Sequence, residues 1–580
     1  MRLGPTVFGI LLVSLVAGCL GGPRDQNPDR PSPGDVPGRW SYDQWNETLT
    51  TPTFGSIARS VHHVTAFDGT RLSLTLFLPQ ELPPDVKLPT LVELTPYQSL
   101  NPDVGPVLPA FATEYVKHGV ALVAADARGT NGSDGCLDFG GTADRRDAQI
   151  FAEWIRAQPW SNGKIVVEGV SHPGMGAVVA HAAIPGLTAS IPTAPVVSYY
   201  QDEWLQGAKF EDQVNGPAYQ GIELAPSADP DPESMKAQAA ACTGKTTLDF
   251  ERTDGRFDAL WQDRDLSRFT PEEKIPILFN HGFVDLNVHP DHTQMYWDAL
   301  PEDYPKYAIM GWWYHGYPDL RGHPWADNAT SGGTFGRTLQ RWFDATLLEK
   351  DNGLWQEPNV LVEDSKGGWH ESQHWPLDGS RNVTYTASGM NQLFEGIDGA
   401  QTGRASYTDR IGAVRGHWTD ASVVFKTDPL PNTQLINGMP LVHLYAQSNV
   451  EETKWVTYLI DEAPNGTWQR ISHGYADSHT WKDPAEWLPI EPGKTYKWTL
   501  KLQPTAVVVE EGHRILLLVA SQDSRNLQTP QESIVCFSDY RGGCYDPSGI
   551  RPATTAGRAQ NTVITGPEGT MVHLSVLDQT

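Results

Sequence analysis

The 580-residue chain has little positive charge. Its 43 Lys and Arg residues stand against 70 Asp and Glu residues, which gives a formal net charge of -27. A field of this sign repels phosphate backbones and anionic lipid headgroups, so we do not expect nucleic acid as a partner. The simplest explanation of the excess charge is an acidic, solubilising surface.

Long apolar runs are also missing. The apolar run over residues 7–17 is too short to cross a membrane and is typical of the core of a secretion signal over residues 1–22. The tetrapeptide Val-Ala-Gly-Cys ending at Cys19 looks like a bacterial lipobox, which would make Cys19 the lipidated first residue of the mature chain. Cleavage as an ordinary signal peptide is the alternative. Residues 23–54 follow as a Pro- and Gly-rich tether and lead-in, so we expect an exported protein, secreted or held at the cell surface by a lipid.

Cysteine is scarce, and cofactor motifs are absent from the sequence. Beyond Cys19 the chain has only Cys136, Cys242, Cys536 and Cys544. An even number in an exported protein predicts disulfides, but three pairings are possible, and only the short spacing of the last two favours a local bridge. The sequence has no C-x-x-C cluster, no phosphate-binding loop and no dinucleotide fingerprint after a strand. We therefore predict no metal and no cofactor.

The hydrophobic pattern divides the chain into three kinds of region. Over residues 55–201 and 269–350, short apolar runs alternate with segments of helical period, which predicts a mostly parallel sheet covered by helices. Residues 202–268 are acidic and Ala-rich without a convincing strand, and predict an inserted helical cap. Residues 355–580 read as alternating strands separated by turns, which predicts an antiparallel β-sandwich.

One serine lies where a nucleophile would be expected. Ser171 sits in the stretch "KIVVEGVSHPGMGAVVAH", between a β-branched run and a helix-forming run, with Gly169 and Gly174 on either side. The pattern G-x-S-x-x-G alone is weak evidence, because chance matches are common in a glycine-rich chain. A strand-to-helix turn, however, would expose the hydroxyl at the sheet edge and aim a helix N-terminus at a developing oxyanion.

Two acid–base partners follow in a meaningful order. Asp285 comes after the apolar run "KIPILFNHG", and His315 comes after "KYAIMG". The order Ser171, Asp285, His315, each beyond a successive strand, is the one used by α/β-hydrolases. We predict that Ser171 attacks a carbonyl, that His315 transfers the proton and that Asp285 orients the imidazole.

Six segments resemble those of a known family, the Xaa-Pro dipeptidyl-peptidase and cocaine-esterase group of serine hydrolases (CocE/NonD, S15-like), which also includes α-amino-acid ester hydrolases. The segments are "ELTPYQ" (93–98), "ADARGTNGSDG" (125–135), "QPWSNGKIVVEGVSHPG" (158–174), "LWQDRDL" (260–266), "HGFVDLNV" (281–288) and "GWWYHG" (311–316). The resemblance implies an α/β-hydrolase domain with an inserted helical cap and a C-terminal all-β jelly roll of the galactose-binding-like type.

The same resemblance implies an oxyanion hole. Tyr97 matches the family tyrosine whose hydroxyl helps to bind the oxyanion, together with the backbone N–H of His172. The family usually has Gly-x-Ser-Tyr-x-Gly, whereas this chain has His172 and Pro173 after the serine. A backbone donor survives that change, and proline is tolerated in the first helical turn. His172 could be proposed as an alternative base, but adjacent residues on such a turn normally point apart.

The resemblance leaves the substrate open. We expect a secreted serine hydrolase that cleaves an amide or ester of a small substrate, most like a Xaa-Pro dipeptidyl-peptidase; a cocaine-esterase-like or acylase activity is the alternative. A dipeptidyl-peptidase must bind a free amine, for which the predicted cap offers Glu203, Glu211, Asp212, Glu223, Asp229, Asp231 and Glu233. A hypothesis of another class, a non-catalytic surface protein that binds glycans or proteins, conflicts with the presence of all three triad residues.

Other polar and aromatic residues receive structural interpretations. Asp126 and Arg128 are expected to brace the loop after their strand through an ion pair or backbone hydrogen bonds. Trp312 and Trp313 are expected in the core rather than in an acyl pocket. The sequence does not settle the oligomeric state.

Overall fold

The computed structural model describes residues 48–97, 114–209, 242, 255–285, 287–318, 333–409, 422–521 and 559–579. The predicted signal peptide, Cys19 and the tether up to residue 47 lie outside the described residues. So do most of the predicted cap and both Cys536 and Cys544. Within the described ranges, no helix is both long enough and apolar enough to cross a bilayer.

Among the described residues, ten strands between residues 57 and 372 form one sheet. Their spatial order is β1-β2-β4-β3-β5-β6-β9-β10-β11-β12, and β7 and β8 form a separate small hairpin. The strands are β1 (Ile57–Thr65), β2 (Arg71–Pro79), β3 (Leu88–Thr95), β4 (Ala121–Asp126), β5 (Ser161–Val170), β6 (Ala189–Thr193), β7 (Trp204–Leu205), β8 (Ala208–Lys209), β9 (Ile277–Gly282), β10 (Lys306–Gly311), β11 (Val360–Glu363) and β12 (Trp369–Ser372).

The pairing from β4 to β11 is parallel throughout, with antiparallel strands added at both edges. The runs that form the parallel core are mostly apolar because helices cover both faces of the sheet. The antiparallel edge begins with the β1–β2 hairpin, which is closed at Asp68-Gly69 as the alternating pattern predicts. Gly69 has φ +87°, a backbone conformation that glycine adopts without strain.

Six helices accompany this sheet in the described residues. They are α1 (Thr142–Arg156), α2 (His172–Ala183), α3 (Tyr199–Glu203), α4 (Ala259–Gln262), α5 (Asp291–Ala299) and α6 (Gly333–Thr346). In α1, Ala148, Phe151 and Ile155 are buried, as their spacing predicts for one apolar face. Helices α1, α2 and α5 contribute to the core on one face of the sheet, whereas α6 contributes to the core on the other.

The sheet extends beyond the boundary expected from the sequence. Strands β11 and β12 follow residue 355, where the strand pattern was expected to begin a separate sandwich, yet β11 pairs in parallel with β10. Val360, Leu361 and Val362 are fully buried there. A short apolar run has the same appearance in either sheet, because its neighbours and not its own pattern decide where it pairs.

The second sheet system contains twelve strands among the described residues. All its pairings are antiparallel except a single contact between β14 and β16. The strands are β13 (Arg381–Ser388), β14 (Gln392–Glu395), β15 (Gly403–Thr408), β16 (Ser422–Lys426), β17 (Gln434–Ser448), β18 (Lys454–Glu462), β19 (Trp468–Asp477), β20 (Tyr496–Lys501), β21 (Thr505–Val509), β22 (Arg514–Ala520), β23 (Gln560–Thr565) and β24 (Met571–Asp578).

The β domain packs against the helix-covered sheet near the predicted acid and base. Trp312, directly after β10, donates its indole N–H to the carbonyl of Ala506 at 2.8 Å. The backbone N–H of Asp291 donates to Gln503 at 3.2 Å. Trp312 and Trp313 are both buried, so they pack in the core as expected. The β domain therefore supports the loops that follow β9 and β10.

Candidate active site

Ser171 occupies a strained turn between β5 and α2. Its φ of 66° and ψ of -123° place a non-glycine residue in a sparsely populated region, where strain is typical of functional sites. A Cβ on Gly169 would lie 2.5 Å from the side chain of Pro173, and one on Gly174 would lie 2.5 Å from the carbonyl of Thr193. Both flanking glycines are thus required for the turn to close.

Asp285 lies in the loop directly after β9 and is almost completely buried. One carboxylate oxygen accepts hydrogen bonds from the backbone N–H groups of Asn287 and Val288, each at 3.0 Å. The other accepts from Nδ1 of His315 at 2.8 Å. Burial acts to raise the pKa of Asp285, but the charge of His315 and the hydrogen bonds from His281 and His315 together hold that pKa well below its usual range. Asp285 is therefore ionised at neutral pH.

His315 follows β10 and shares this pair with Asp285. Because Nδ1 donates to the carboxylate, Nε2 of the neutral imidazole is left as the basic nitrogen. A Cβ on Gly282 would lie 1.9 Å from the carbonyl of Trp313, which shows how closely the loops after β9 and β10 approach each other. The close approach brings together two residues 30 positions apart.

The predicted residues share one edge of the sheet. Strands β3, β5, β9 and β10 are mutually parallel, so their carboxyl ends point the same way. Tyr97, Ser171, Asp285 and His315 each follow one of these ends. This is the edge at which open α/β sheets bind ligands.

Tyr97 and His172 are neighbours beside the serine. Their ring centroids lie 6.2 Å apart in an edge-to-face arrangement. His172 is the first residue of α2, so its N–H points out of the helix N-terminus and takes no part in the hydrogen bonds within the helix. Burial lowers the pKa of its imidazole to about 3, so that ring is a poor acceptor for a catalytic proton. The arrangement favours the predicted backbone role of His172 over a role as base.

Asp126 and Arg128 brace the loop after β4, but not as a pair with each other. Asp126 accepts a hydrogen bond from the side-chain amide of Asn131 at 3.0 Å. Arg128 makes two bonds of 2.7 Å to Asp147 in α1 and one of 3.0 Å to Asp68. The loop is thus tied both to itself and to α1.

The structure selects one of the three possible cysteine pairings for the described residues. Cys136, in the loop that leads to α1, is bonded to Cys242 across 106 positions, with the two Cα atoms 5.5 Å apart. Cys242 lies within the predicted cap region. The bridge therefore attaches that region to the sheet domain.

Sequence reasoning missed several residues near the site. One of them is His281, whose Nε2 lies 3.5 Å from the Asp285 carboxylate and whose ring also contacts Thr293 and the carbonyl of Val288. Tyr317, two positions after His315, donates to Glu168 in β5. The only signal for Glu168 was an acidic residue inside an otherwise apolar run. Where the structure describes His, Cys, Asp and Glu side chains, no group of three or more is placed to hold a metal ion.

Comparison with family models matches most of the chain. Residues 68–317 match the model described as X-Pro dipeptidyl-peptidase (S15 family). Residues 352–568 match the X-Pro dipeptidyl-peptidase C-terminal non-catalytic domain. The first match covers β2 to β10 of the helix-covered sheet, and the second covers β11 and β12 together with most of the β domain.

Similar proteins include peptidases and an esterase. A Streptomyces avermitilis protein, named as a predicted Xaa-Pro dipeptidyl-peptidase, is 26% identical over 90% of this chain and 87% of its own length. The cocaine esterase of a Rhodococcus species is 22% identical over 79% of this chain and 89% of its own. An α-amino acid ester hydrolase structure, 19% identical, superposes with a TM-score of 0.66 over 91% of this chain and 98% of its own. The α/β-hydrolase fold with a C-terminal β domain is thereby confirmed.

Proposed function

Because the chain belongs, through both of its domains, to the X-Pro dipeptidyl-peptidase (S15) family of serine hydrolases, we propose that it works through an acyl-enzyme formed on Ser171. The observation that carries the assignment of residues is the 2.8 Å hydrogen bond between His315 and Asp285 at the sheet edge that also bears the strained serine turn. Asp285 orients the imidazole and stabilises its protonated form.

The proposed reaction has two halves. Ser171 Oγ attacks the substrate carbonyl as His315 Nε2 takes its proton, and the same nitrogen then protonates the departing amine or alcohol. The hydroxyl of Tyr97 and the N–H of His172 donate to the oxyanion. Water, deprotonated by His315, then releases the acyl group and restores Ser171.

A fluorophosphonate probe tests the nucleophile. We expect the purified protein to be labelled on Ser171 and the Ser171→Ala variant not to be labelled. Ser190→Ala is the matched control, because Ser190 is a buried serine on the next strand whose hydroxyl donates to Ala177 in α2. Labelling that persists in Ser171→Ala would refute the assignment.

As substrate we propose a peptide with a free amine and proline in the second position. The proposal rests on the family and on one described acidic residue, Glu203. Of the carboxylates predicted to bind the amine, Glu203 is described, and it lies buried at the end of α3, in the chain that leaves β6 at the carboxyl edge. The other six lie outside the described residues.

A substrate panel separates this proposal from esterase activity, which the cocaine-esterase relative favours as the second candidate. Gly-Pro and Ala-Pro anilides are compared with their N-acetylated forms and with short acyl and aromatic esters. A dipeptidyl-peptidase cleaves the free anilides and loses the acetylated ones, and Glu203→Gln raises KM for the free anilides more than for esters. Equal cleavage of both anilide sets would exclude the exopeptidase.

We also propose that the protein is exported and lipid-anchored through Cys19. The support is the signal-like N-terminus together with the Cys136–Cys242 disulfide, since such bridges persist in oxidising compartments. Expression with a labelled fatty acid should label the wild-type protein but not Cys19→Ala. A soluble, unlabelled wild-type protein in the medium would favour ordinary secretion.

A further inference from the structure

Two acidic side chains lie buried beneath the sheet edge that carries the site. Glu93 in β3 and Glu168 in β5 are 5% and 1% exposed. Val92 pairs with Val167 in the β3–β5 register, so each glutamate is the next residue along its strand. Both therefore point to the same face of the sheet, the face that α6 covers.

Burial disfavours the charged form of both carboxyls. Burial, reinforced by the negative charge of Glu168, raises the pKa of Glu93 well above its ordinary value, and burial raises the pKa of Glu168 to about 7. Oε2 of Glu93 has no hydrogen-bond partner among the described residues, which is tolerable for a neutral carboxyl but costly for a charged one. Glu168 is the member of the pair with a donor.

That donor is the hydroxyl of Tyr317, which bonds to Oε1 of Glu168. Tyr317 lies two positions after His315, and Glu168 lies three positions before Ser171. The Tyr317 ring packs against Phe335 of α6, with centroids 5.4 Å apart. A single buried contact therefore joins the loop that carries the proposed base to the strand that carries the proposed nucleophile.

The strand order explains why such a tie is needed. Strands β6 and β9 lie between β5 and β10, so the strand before His315 is about 14 Å from the strand before Ser171 at the usual spacing. The loop after β10 must therefore extend across that distance for His315 to reach Ser171. The contact between Trp312 and the β domain and the bond to Asp285 hold its first part, and Tyr317 holds the part beyond the base.

We propose that Tyr317, acting through Glu168, is a positioning residue that holds His315 toward Ser171. The inference rests on the proposed function, because a positioning role for Tyr317 requires that His315 and Ser171 react together. Neither side chain needs to touch the substrate.

The experiment compares Tyr317→Phe with a matched loss of a buried hydroxyl. Tyr304→Phe is the control: the Tyr304 hydroxyl donates to the carbonyl of Glu273 at 2.8 Å, at the opposite, amino end of β10. We expect Tyr317→Phe to lower both kcat and the rate of fluorophosphonate labelling of Ser171 about 10- to 100-fold, the effect of misplacing a catalytic group by about 1 Å, with KM nearly unchanged. Tyr304→Phe should lower the melting temperature by a similar amount and leave both rates unchanged.

Two variants of the partner sharpen the result. Glu168→Gln keeps an oxygen that accepts from Tyr317 and should retain most of the rate, whereas Glu168→Met removes the acceptor and should match Tyr317→Phe. The double variant Tyr317→Phe/Glu168→Met should be no slower than either single variant. Wild-type labelling rates in Tyr317→Phe, or equal rates in Glu168→Gln and Glu168→Met, would overturn the inference. A wild-type protein that is not labelled on Ser171 would overturn the proposed function, and the inference with it.

Discussion

Two regions of the molecule contain nearly the same chemical pair. In the sheet domain, His315 Nδ1 lies 2.8 Å from Asp285, and in the β domain, His479 Nδ1 lies 2.7 Å from Asp477. Both carboxylates are completely buried, and the histidine side chains are 10% and 15% exposed. By distance and burial alone the two pairs are hardly distinguishable.

The two pairs differ in the charged groups around them and in their place in the fold. Asp477 is also bonded to the ammonium of Lys454, and the ring of His479 stacks on Trp487 with an interplanar angle of 6°. Asp285 faces backbone N–H groups and His281, and its histidine follows β10 at the same sheet edge as the serine turn. The comparison teaches that an Asp–His hydrogen bond does not by itself make a base; the other partners of the carboxylate and the place of the pair in the fold distinguish the two.

The largest expected effect comes from exchanging the imidazole of the first pair. His315→Gln removes the proton acceptor, so turnover of the best substrate should fall about 10⁴- to 10⁶-fold, as for other members of catalytic triads. Steady-state kinetics on the purified variant measure the loss. A decrease below about tenfold would mean that the two pairs do not differ as argued.

Asp477→Asn should act on stability and not on chemistry. It leaves Lys454 buried opposite an uncharged amide, and breaking a buried ion pair costs about 3–5 kcal/mol. Denaturant unfolding measures this loss, and probe labelling of Ser171 in the folded protein should change far less than in His315→Gln. Loss of labelling without loss of stability would contradict the comparison.

Tyr97→Phe tests whether the Tyr97 hydroxyl stabilises the oxyanion in the reaction proposed for Asp285 and His315. Removal of one oxyanion donor should lower kcat about 10²- to 10³-fold. The phenyl ring can keep its contact with His172, so stability should change little. An unchanged kcat would mean that backbone N–H groups, and not the Tyr97 hydroxyl, stabilise the oxyanion.

Lowering the pH should reduce the stability that the ionised carboxylates contribute in both regions. The pKa values of Asp285 and Asp477 are lowered by their partners, despite burial. Each ionised carboxylate therefore contributes stability that is fully present above the unfolded pKa of about 4 and is lost as pH falls through the lower folded value. Between pH 5 and pH 2, Asp285→Asn and Asp477→Asn should each lose less stability than the wild-type protein. An identical acid profile for all three proteins would rule out this linkage.

The smallest effect is expected for His479→Gln, the counterpart of His315→Gln. Asp477 keeps Lys454, and no reacting group depends on His479, so turnover should stay within about twofold of the wild type. The same assay used for His315→Gln provides the measurement. A large decrease in kcat would show that the β domain takes part in the reaction.

Much of the fold could be predicted because its signals are local. The apolar runs of β3, β4, β5, β9 and β10, the Asp-Gly hairpin and the apolar face of α1 each lie within about 15 residues of sequence. The serine turn was predictable from its glycines and flanking runs, whereas the membership of β11 in the first sheet was not. Its four residues carry no sign of the strand that they join.

The residues of the candidate site likewise fall into those that the sequence predicts and those that it does not. Ser171, Asp285, His315 and Tyr97 could be proposed from motifs, strand ends and the family resemblance, and their catalytic roles stay predictions until the variants are measured. The contact between Glu168 and Tyr317 could not be predicted, because 149 positions separate the two residues. They meet only because α6 packs beside them and the loop after β10 extends back past β9 and β6.

The sequence by itself determined the alternation of strands and helices, the turn at Ser171 and the order of the three triad candidates, since burial periodicity and glycine positions act over a few residues. Only the tertiary structure decided which cysteines pair, which sheet receives β11 and which of several Asp–His pairs lies at the sheet edge. Those choices depend on contacts between residues 30 to 150 positions apart, whose partners are selected by the closure of the whole chain and not by any local pattern.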